Sequence, residues 1–218
     1  MKKIIIFDLD GTLLDTLHDL QMSVNFALSH FTYPNRSLEQ VRKDIGNGVA
    51  KLIERSIPGG NCDKNYAKCL EIFKRHYAEN YNNFTTAYKG IPSLISQLLK
   101  EGYKVTVATN KIINVAKILL DTHYPGLFDY IEGDDVGIQK KPSPHMIENI
   151  LNHYDVSKDE VLYIGDTNVD EETALNAGVD YILVTYGYRT VEEIKKTCHC
   201  TNLAFTPEEL YQKIKLFN

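Results

Sequence analysis

The sequence has no CxxC pair, no long apolar run, no internal repeat and no surplus of basic residues. Each absence narrows what the chain can do. Its four cysteines are Cys62, Cys69, Cys198 and Cys200. Cys198-His199-Cys200 has the residue types of half a metal site, but no second half lies near it, so reduced thiols are the expectation. Lys2 and Lys3 precede only Ile4 to Phe7 before Asp8 interrupts, too short a run for a secretory segment or a spanning helix. A cytoplasmic protein without a membrane partner is expected. Lys and Arg number 24 against 29 Asp and Glu, a net charge of −5. That disfavours nucleic acid and anionic membrane, which reward dense positive charge, and leaves room for a local basic site for a small anion.

What is present is an ordinary globular composition, 43% hydrophobic and 24% charged over 218 residues. That length suits one large domain or one domain carrying an insertion. The chain opens with Ile4-Ile5-Ile6-Phe7, an apolar run that reads as a strand buried on both faces. Asp8, Asp10, Gly11 and Thr12 follow at once. They suit a solvated turn, since Asp and Gly are common turn residues, and equally a pair of catalytic carboxylates. The rest of the chain decides between the two.

From Thr16 to about Phe31 apolar residues recur at helical spacing (Leu17, Leu20, Val24, Leu28, Phe31). Ser37 and Gln40 form a capping-box pattern ahead of a short helix to Ile45. Gly46-Asn47-Gly48 breaks it, and a further amphipathic helix carries Val49, Leu52, Ile53 and Ile57. Asp63 to about Tyr81 is the last of the series, with Tyr66, Cys69, Leu70, Phe73 and Tyr77 as its stripe. Tyr77, Tyr81 and Phe84 read as packing residues. Beyond about residue 86 helices alternate with strands at Lys104–Ala108, Phe128–Ile131, Val161–Ile164 and Tyr181–Val184. Helices are expected from Gly90, Ile112, Ser143, Val169 and Pro207.

That alternation implies an α/β fold, a doubly wound, Rossmann-like parallel sheet with helices on both faces. The first strand is separated from it by a wholly helical stretch. The economical arrangement is a core of residues 1–14 and 86–218, with a helical domain of residues 15–85 inserted after the first strand. Asp15 and Tyr88 flank the insertion as candidate hinges. In such sheets ligands gather at the carboxyl ends of the strands. The polar residues after the strands are Asp8 and Asp10, Thr109 and Asn110, Asp166 and Asp170.

Together these suit phosphoryl chemistry. A carboxylate can attack phosphorus, and a second acid can protonate the leaving oxygen and later activate water. Clustered carboxylates suit Mg²⁺, which offsets the repulsion between an anionic nucleophile and an anionic phosphate. A hydroxyl, an amide and a lysine would hold the phosphate oxygens. None of the seven histidines lies in these segments, which argues against a histidine-based phosphatase.

Four motifs in this order resemble the haloacid dehalogenase superfamily of phosphotransferases. Asp8-Leu9-Asp10-Gly11-Thr12 resembles its first motif, nucleophile then acid/base. Thr109-Asn110 resembles the second, which binds the transferring phosphoryl group. Lys141, before Pro142, Ser143 and Pro144, resembles the third; Lys140 beside it reads as surface charge. Gly165-Asp166-Thr167-Asn168-Val169-Asp170 resembles the fourth, which completes the metal site. The resemblance implies an aspartyl phosphate on Asp8 and Mg²⁺ held by Asp8, Asp166 and the Asp10 carbonyl. Asp170 would support the metal from behind, and the helical insertion would be a mobile cap.

Within that superfamily the cap-bearing phosphoglycolate phosphatases are most similar. The likeness lies in Ile45-Gly46-Asn47-Gly48-Val49, in Thr109-Asn110-Lys111 and in Val184-Thr185-Tyr186-Gly187-Tyr188. Gly46, Asn47 and Gly48 are a candidate specificity loop or a plain turn. Asn47 and Glu171 depart from the subgroup's usual residues. The implied activity is Mg²⁺-dependent hydrolysis of a small phosphorylated metabolite. Rivals are a phosphosugar mutase of the beta-phosphoglucomutase kind, a pyrophosphatase or nucleotidase, and a phospho-accepting signalling module. The sequence leaves the substrate and the oligomeric state open.

Overall fold

The computed structural model describes residues 2–217. In chain order it forms β1 (Ile4–Phe7), β2 (Leu14–Asp15), α1 (Leu17–Ser29), α2 (Leu38–Asp44), α3 (Val49–Ser56) and α4 (Tyr66–Asn80). There follow β3 (Thr86–Ala87), α5 (Ile91–Lys100), β4 (Lys104–Ile112), α6 (Ile113–His123), β5 (Ile131–Asp134) and α7 (His145–Tyr154). The chain ends with β6 (Val161–Gly165), α8 (Asn168–Ala177), β7 (Asp180–Val184), α9 (Val191–Thr197), β8 (Leu203–Ala204) and α10 (Pro207–Leu216). Two compact units result, Met1–Leu14 with Ala87–Asn218, and Asp15–Thr86.

The first unit is a six-stranded parallel sheet in the order β5-β4-β1-β6-β7-β8. The first strand is central because all four of its residues are apolar, and each is 1% exposed or less. Alternation sends Ile4 and Ile6 to one face, where they pack with Met146, Ile147 and Ile150 of α7 and Ala174 of α8. Ile5 and Phe7 point to the other face and are equally buried. β1 pairs with β4 on one side and β6 on the other, so the strand order reverses around it. The carboxyl end of β1 is therefore the switch point where α/β sheets collect ligands, and Asp8 stands there.

Two strand expectations need correction. β4 runs on to Ile112, with its register to β5 shifting between Ala108 and Ile112. Thr109 and Asn110 thus lie in an irregular strand end rather than after the strand. β5 begins at Ile131, where Phe128–Ile131 was expected. The aromatic residues ahead of it are occupied otherwise: Phe128 meets Tyr124 edge-on, and Tyr130 stacks on His153 at 3.8 Å. Two further elements that the pattern does not predict, α9 and β8, are short: α9 is mostly polar and starts at a Thr190/Glu193 capping box, and β8 is only Leu203-Ala204.

The second unit is entirely helical apart from its terminal strand residues. Its α1 packs along α4, burying Leu20, Val24, Ala27 and Leu28 with Cys69, Phe73 and Tyr77. Tyr77 is buried and stacks on Phe73 at 5.5 Å, and Tyr81 meets Tyr77 edge-on at 6.4 Å, while Phe84 is exposed, so packing accounts for the two tyrosines but not for Phe84. Ser37 accepts from the Gln40 N–H and Gln40 accepts from the Ser37 N–H, the expected capping box. Asp63 does not begin the last helix. Its carboxylate accepts from Tyr33 Oη and Asn65 N, fixing the turn before α4.

Candidate active site

Asp8 leaves β1 with its N–H donated to the Ile164 carbonyl, which carries the strand pairing one residue further. The chain then turns sharply. The N–H groups of Thr12, Leu13 and Leu14 all donate to the Leu9 carbonyl. Gly11 adopts φ +88°, and a Cβ there would lie 2.4 Å from Asp166 Oδ2. The position excludes a side chain both by conformation and by room. Tyr124 Oη donates to the Leu13 carbonyl at 2.6 Å, pinning the turn from α6's end.

Asp166 follows β6 and is fully buried. Its Oδ2 accepts from the Tyr188 N–H at 2.6 Å, and Thr12 Oγ1 lies 3.4 Å from its Oδ1. Asp170 sits in the first turn of α8 as the capping-box partner of Thr167. Its Oδ2 accepts from Asp166 N, Thr167 N and Thr167 Oγ1, and its Oδ1 from Lys141 Nζ and Tyr163 Oη. Both oxygens are thereby committed to protein donors. Asp8, Asp166 and Asp170 each offer an oxygen within 4.8 Å of the others.

Lys141 is the cation of this cluster. Its Nζ lies 2.8 Å from Asp170 Oδ1, 2.8 Å from Asp8 Oδ1 and 2.9 Å from Tyr163 Oη. Asn110, expected to bind phosphate, spends its side chain elsewhere: Nδ2 donates to the Lys141 carbonyl and Oδ1 accepts the Lys141 N–H. Its side chain holds the lysine's backbone. Thr109 is buried beside it, its Oγ1 accepting from the Lys111 N–H. Lys140 pairs with Asp134 at the surface, as expected.

The charges are unbalanced. Burial pushes the Asp8 carboxyl up to about 7; Lys141 opposes this, while Asp170 and Asp10 add to it. Burial, with Asp170 and Asp8 nearby, also drives Asp166 well above the carboxylate range. Burial works against ionisation of Asp170 too, but the Lys141 ammonium outweighs it and holds that group down. Three buried carboxyls thus share one ammonium. A cluster of oxygen donors in which carboxyls outnumber ammonium groups could hold a hard divalent cation, and Asp170, with both oxygens committed to protein donors, has less to give it than Asp8 or Asp166.

The sequence names Lys111 and Glu171 only as points of likeness and departure, and Tyr163 only within a strand; none of the three has an expected place in the site. Lys111 Nζ lies 2.8 Å from Asp10 Oδ1, with both side chains largely buried. Its strand spacing of two from Thr109 was the available signal. Tyr163 was a polar residue in an otherwise apolar strand. Glu171 is buried, and accepts from Tyr181 Oη and the His199 N–H, so its use is to hold the segment after α9. All four cysteines are free thiols, and among the described residues no group of metal-ligating side chains includes Cys198, His199 or Cys200.

In the helical unit, Gly46 and Gly48 have φ of +124° and +80°. Arg55 braces the loop they define, donating to Asn47 Oδ1 and to the Asp44 carbonyl. Asp15 Oδ1 accepts the Leu17 N–H, and Tyr88 packs against Tyr186.

A parallel sheet with an acidic cluster and a buried lysine at its switch point defines a phosphotransferring α/β hydrolase. The profile of the haloacid dehalogenase-like hydrolases matches residues 5–184, and the chain belongs to that family. It is a phosphatase. It is 34% identical over 187 residues to a phosphoglycolate phosphatase of Aquifex aeolicus, covering 85% of this chain and 86% of that one. A phosphoglycolate phosphatase of Pseudomonas savastanoi is likewise 34% identical, over 86% of this chain and 71% of that one. A crystallised candidate phosphoglycolate phosphatase of Lactobacillus delbrueckii superposes with a TM-score of 0.92 at 31% identity, covering 98% of this chain and 99% of that one. No described helix is long and apolar enough to cross a membrane.

Proposed function

We propose that this phosphatase is a cytoplasmic enzyme that hydrolyses a small phosphate monoester of the phosphoglycolate kind, with Asp8 as nucleophile and Asp10 as acid and base. An oxygen of Asp8 bonds to phosphorus while the ester P–O bond breaks, and Asp10 gives its proton to the leaving oxygen. Water then bonds to phosphorus, Asp10 takes its proton, and the Asp8–phosphorus link breaks to release inorganic phosphate. Lys141 and Thr109 hold phosphoryl oxygens, and Asn110 fixes the backbone of Lys141. Asp170 orients Lys141 and Asp166. Asp8, Asp166 and the Asp10 carbonyl would hold Mg²⁺, which supplies charge neutralisation for the attack of one anion on another. The inserted helical unit is read as the family's cap, with Gly46, Asn47 and Gly48 as its specificity loop.

The observation that carries this reading is the division of two lysines between two aspartates. Lys141 Nζ is 2.8 Å from Asp8 Oδ1, and Lys111 Nζ is 2.8 Å from Asp10 Oδ1. A solvated turn would not bury a separate ammonium against each acid. The test is phosphate release across a panel of small phosphate esters, with and without Mg²⁺, with Asp8→Asn as control. Mg²⁺-dependent release that Asp8→Asn abolishes supports the reading; undiminished release by Asp8→Asn overturns it.

A further inference from the structure

We infer that Lys111 is a specificity-determining residue, which binds a carboxylate carried by the leaving alcohol on the carbon next to the ester oxygen. The inference rests on the roles proposed for Asp8 and Asp10.

Thr109 and Lys111 are two residues apart at the end of β4, and the side chain of Asn110 between them turns to the backbone of Lys141. Lys111 therefore belongs to the same strand end as the phosphate-binding hydroxyl. Its ammonium is taken not by the nucleophile but by the acid, with side-chain exposures of 4% for Lys111 and 17% for Asp10. The nucleophile already has its own lysine, Lys141.

In an in-line displacement the leaving oxygen departs on the side opposite the nucleophile. Asp10 must sit within hydrogen-bond reach of that oxygen to protonate it. A cation touching Asp10 is therefore a cation on the leaving-group side. A neutral alcohol can offer it at most an uncharged acceptor, the weaker partner for an ammonium. In a phosphorylated 2-hydroxy acid, a single carbon separates the ester oxygen from a carboxylate, so a substrate whose ester oxygen meets Asp10 brings its carboxylate to the neighbourhood of Lys111. An ammonium has three donors and can hold Asp10 and a substrate oxygen together. A more distant anion, such as a second phosphate on a longer sugar, would overshoot the position that Asp10 fixes.

The experiment compares phosphoglycolate with ethyl phosphate, which has the same two-carbon skeleton without the carboxylate, in wild type, Lys111→Met and Lys111→Arg. Wild type is expected to prefer phosphoglycolate. Lys111→Met should lower the ratio of the two kcat/KM values by about 10- to 10²-fold, the range for losing a hydrogen bond to a charged group, and Lys111→Arg should restore part of it. Loss of Asp10 positioning alone would slow both esters together and leave the ratio unchanged, which overturns the inference. A readout without turnover separates it from the proposed reaction. Calorimetry would compare 3-phosphonopropionate with propylphosphonate as unreactive ligands. Tighter binding of the carboxylated ligand by wild type, lost in Lys111→Met, supports the inference even if no ester is hydrolysed; equal binding of the two by wild type overturns it even if phosphate is released.

Discussion

Tyr188 donates its backbone N–H to Asp166 Oδ2 at 2.6 Å, tying a carboxylate at the end of β6 to the loop after β7. The residue before it, Gly187, has no space for a side chain. An added Cβ would lie 2.3 Å from the Gly11 carbonyl oxygen and 2.5 Å from Asp166 Cβ. The obstacles are backbone and the root of a side chain, so neither can swing aside. Gly187→Ala is expected to push the Asp166 and Asp8 loops apart and lower phosphate release by about 10²-fold, the scale of a misplacement near 1 Å. Overpacking should cost about 1–3 kcal/mol, seen as a melting point lower by several degrees. A Gly187→Ala enzyme at the wild-type rate would show that this loop does not set the position of Asp166.

Tyr163 is the next point of control, through Lys141. Two of the ammonium's neighbours, Asp170 Oδ1 and Tyr163 Oη, lie at 2.8 and 2.9 Å and aim the remaining charge at Asp8. Tyr163→Phe keeps the ring, which is fully buried, and deletes only the hydroxyl. One buried donor of Lys141 is left unmet, at about 1–3 kcal/mol. The expected outcome is a fall of about tenfold or more in kcat at nearly constant KM, because binding contacts stay while the charge at phosphorus is less well aimed. Steady-state kinetics separates this from simple destabilisation, which would lower the active fraction without changing the rate per folded molecule.

These two residues also mark the limit of what the sequence discloses. Ile4 to Phe7 announces the central strand because a run buried on both faces has no polar residue to disguise it. Asp8, Asp166 and Lys141 are legible because each stands in a motif beside a strand end or turn. The Ser37/Gln40 box is legible because capping is local. The Lys111–Asp10 pair spans 101 residues, and its existence depends on where β4 sits against β1. No local pattern encodes that register. β5 was misplaced for a related reason. Tyr130 has strand propensity, but its ring stacks on His153 while its carbonyl accepts from Thr106 Oγ1, so tertiary packing overrides propensity. The bracing of the Lys141 backbone by Asn110 is hidden for the same reason, because it joins residues 31 positions apart.

Asp19 anchors the helical unit in the same non-local way. It is 1% exposed, and its carboxylate accepts from Phe84 N, Thr85 N and Thr85 Oγ1. It joins the first helix of Asp15–Thr86 to that unit's last residues. Asp19→Asn keeps the shape but turns an N–H₂ toward donors, so at least one buried N–H loses its acceptor. A loss of about 2–4 kcal/mol is expected, from a weakened charged hydrogen bond plus an unmet donor. Hydrogen exchange at the Phe84 and Thr85 amides reads this directly. Both should lose protection, while the amides of β1 keep theirs. Unchanged exchange at Phe84 and Thr85 would show that the helical unit is closed by its apolar core alone.

The acidic cluster makes the last prediction a thermodynamic one. Burial and mutual repulsion disfavour ionised Asp8 and Asp166 in the metal-free protein. A divalent cation held by both would remove that penalty in the folded state and find no equivalent site in the unfolded chain. Binding to the native state alone adds about 2.7 kcal/mol when the ion is at 100 times its Kd. For a chain of this size that raises the melting point by roughly 5–10 °C. Mg²⁺ added to chelator-treated protein is therefore expected to raise Tm in a saturable way, and Asp166→Asn should abolish most of the rise. Asp170→Asn tests the distinction within the cluster. If Asp170 acts by holding Lys141 and the Asp166 N–H, its variant should start from a much lower Tm, by about 3–5 kcal/mol for a broken buried ion pair, and still respond to Mg²⁺. An Asp170→Asn protein of normal stability that no longer responds to Mg²⁺ would instead make Asp170 a direct ligand.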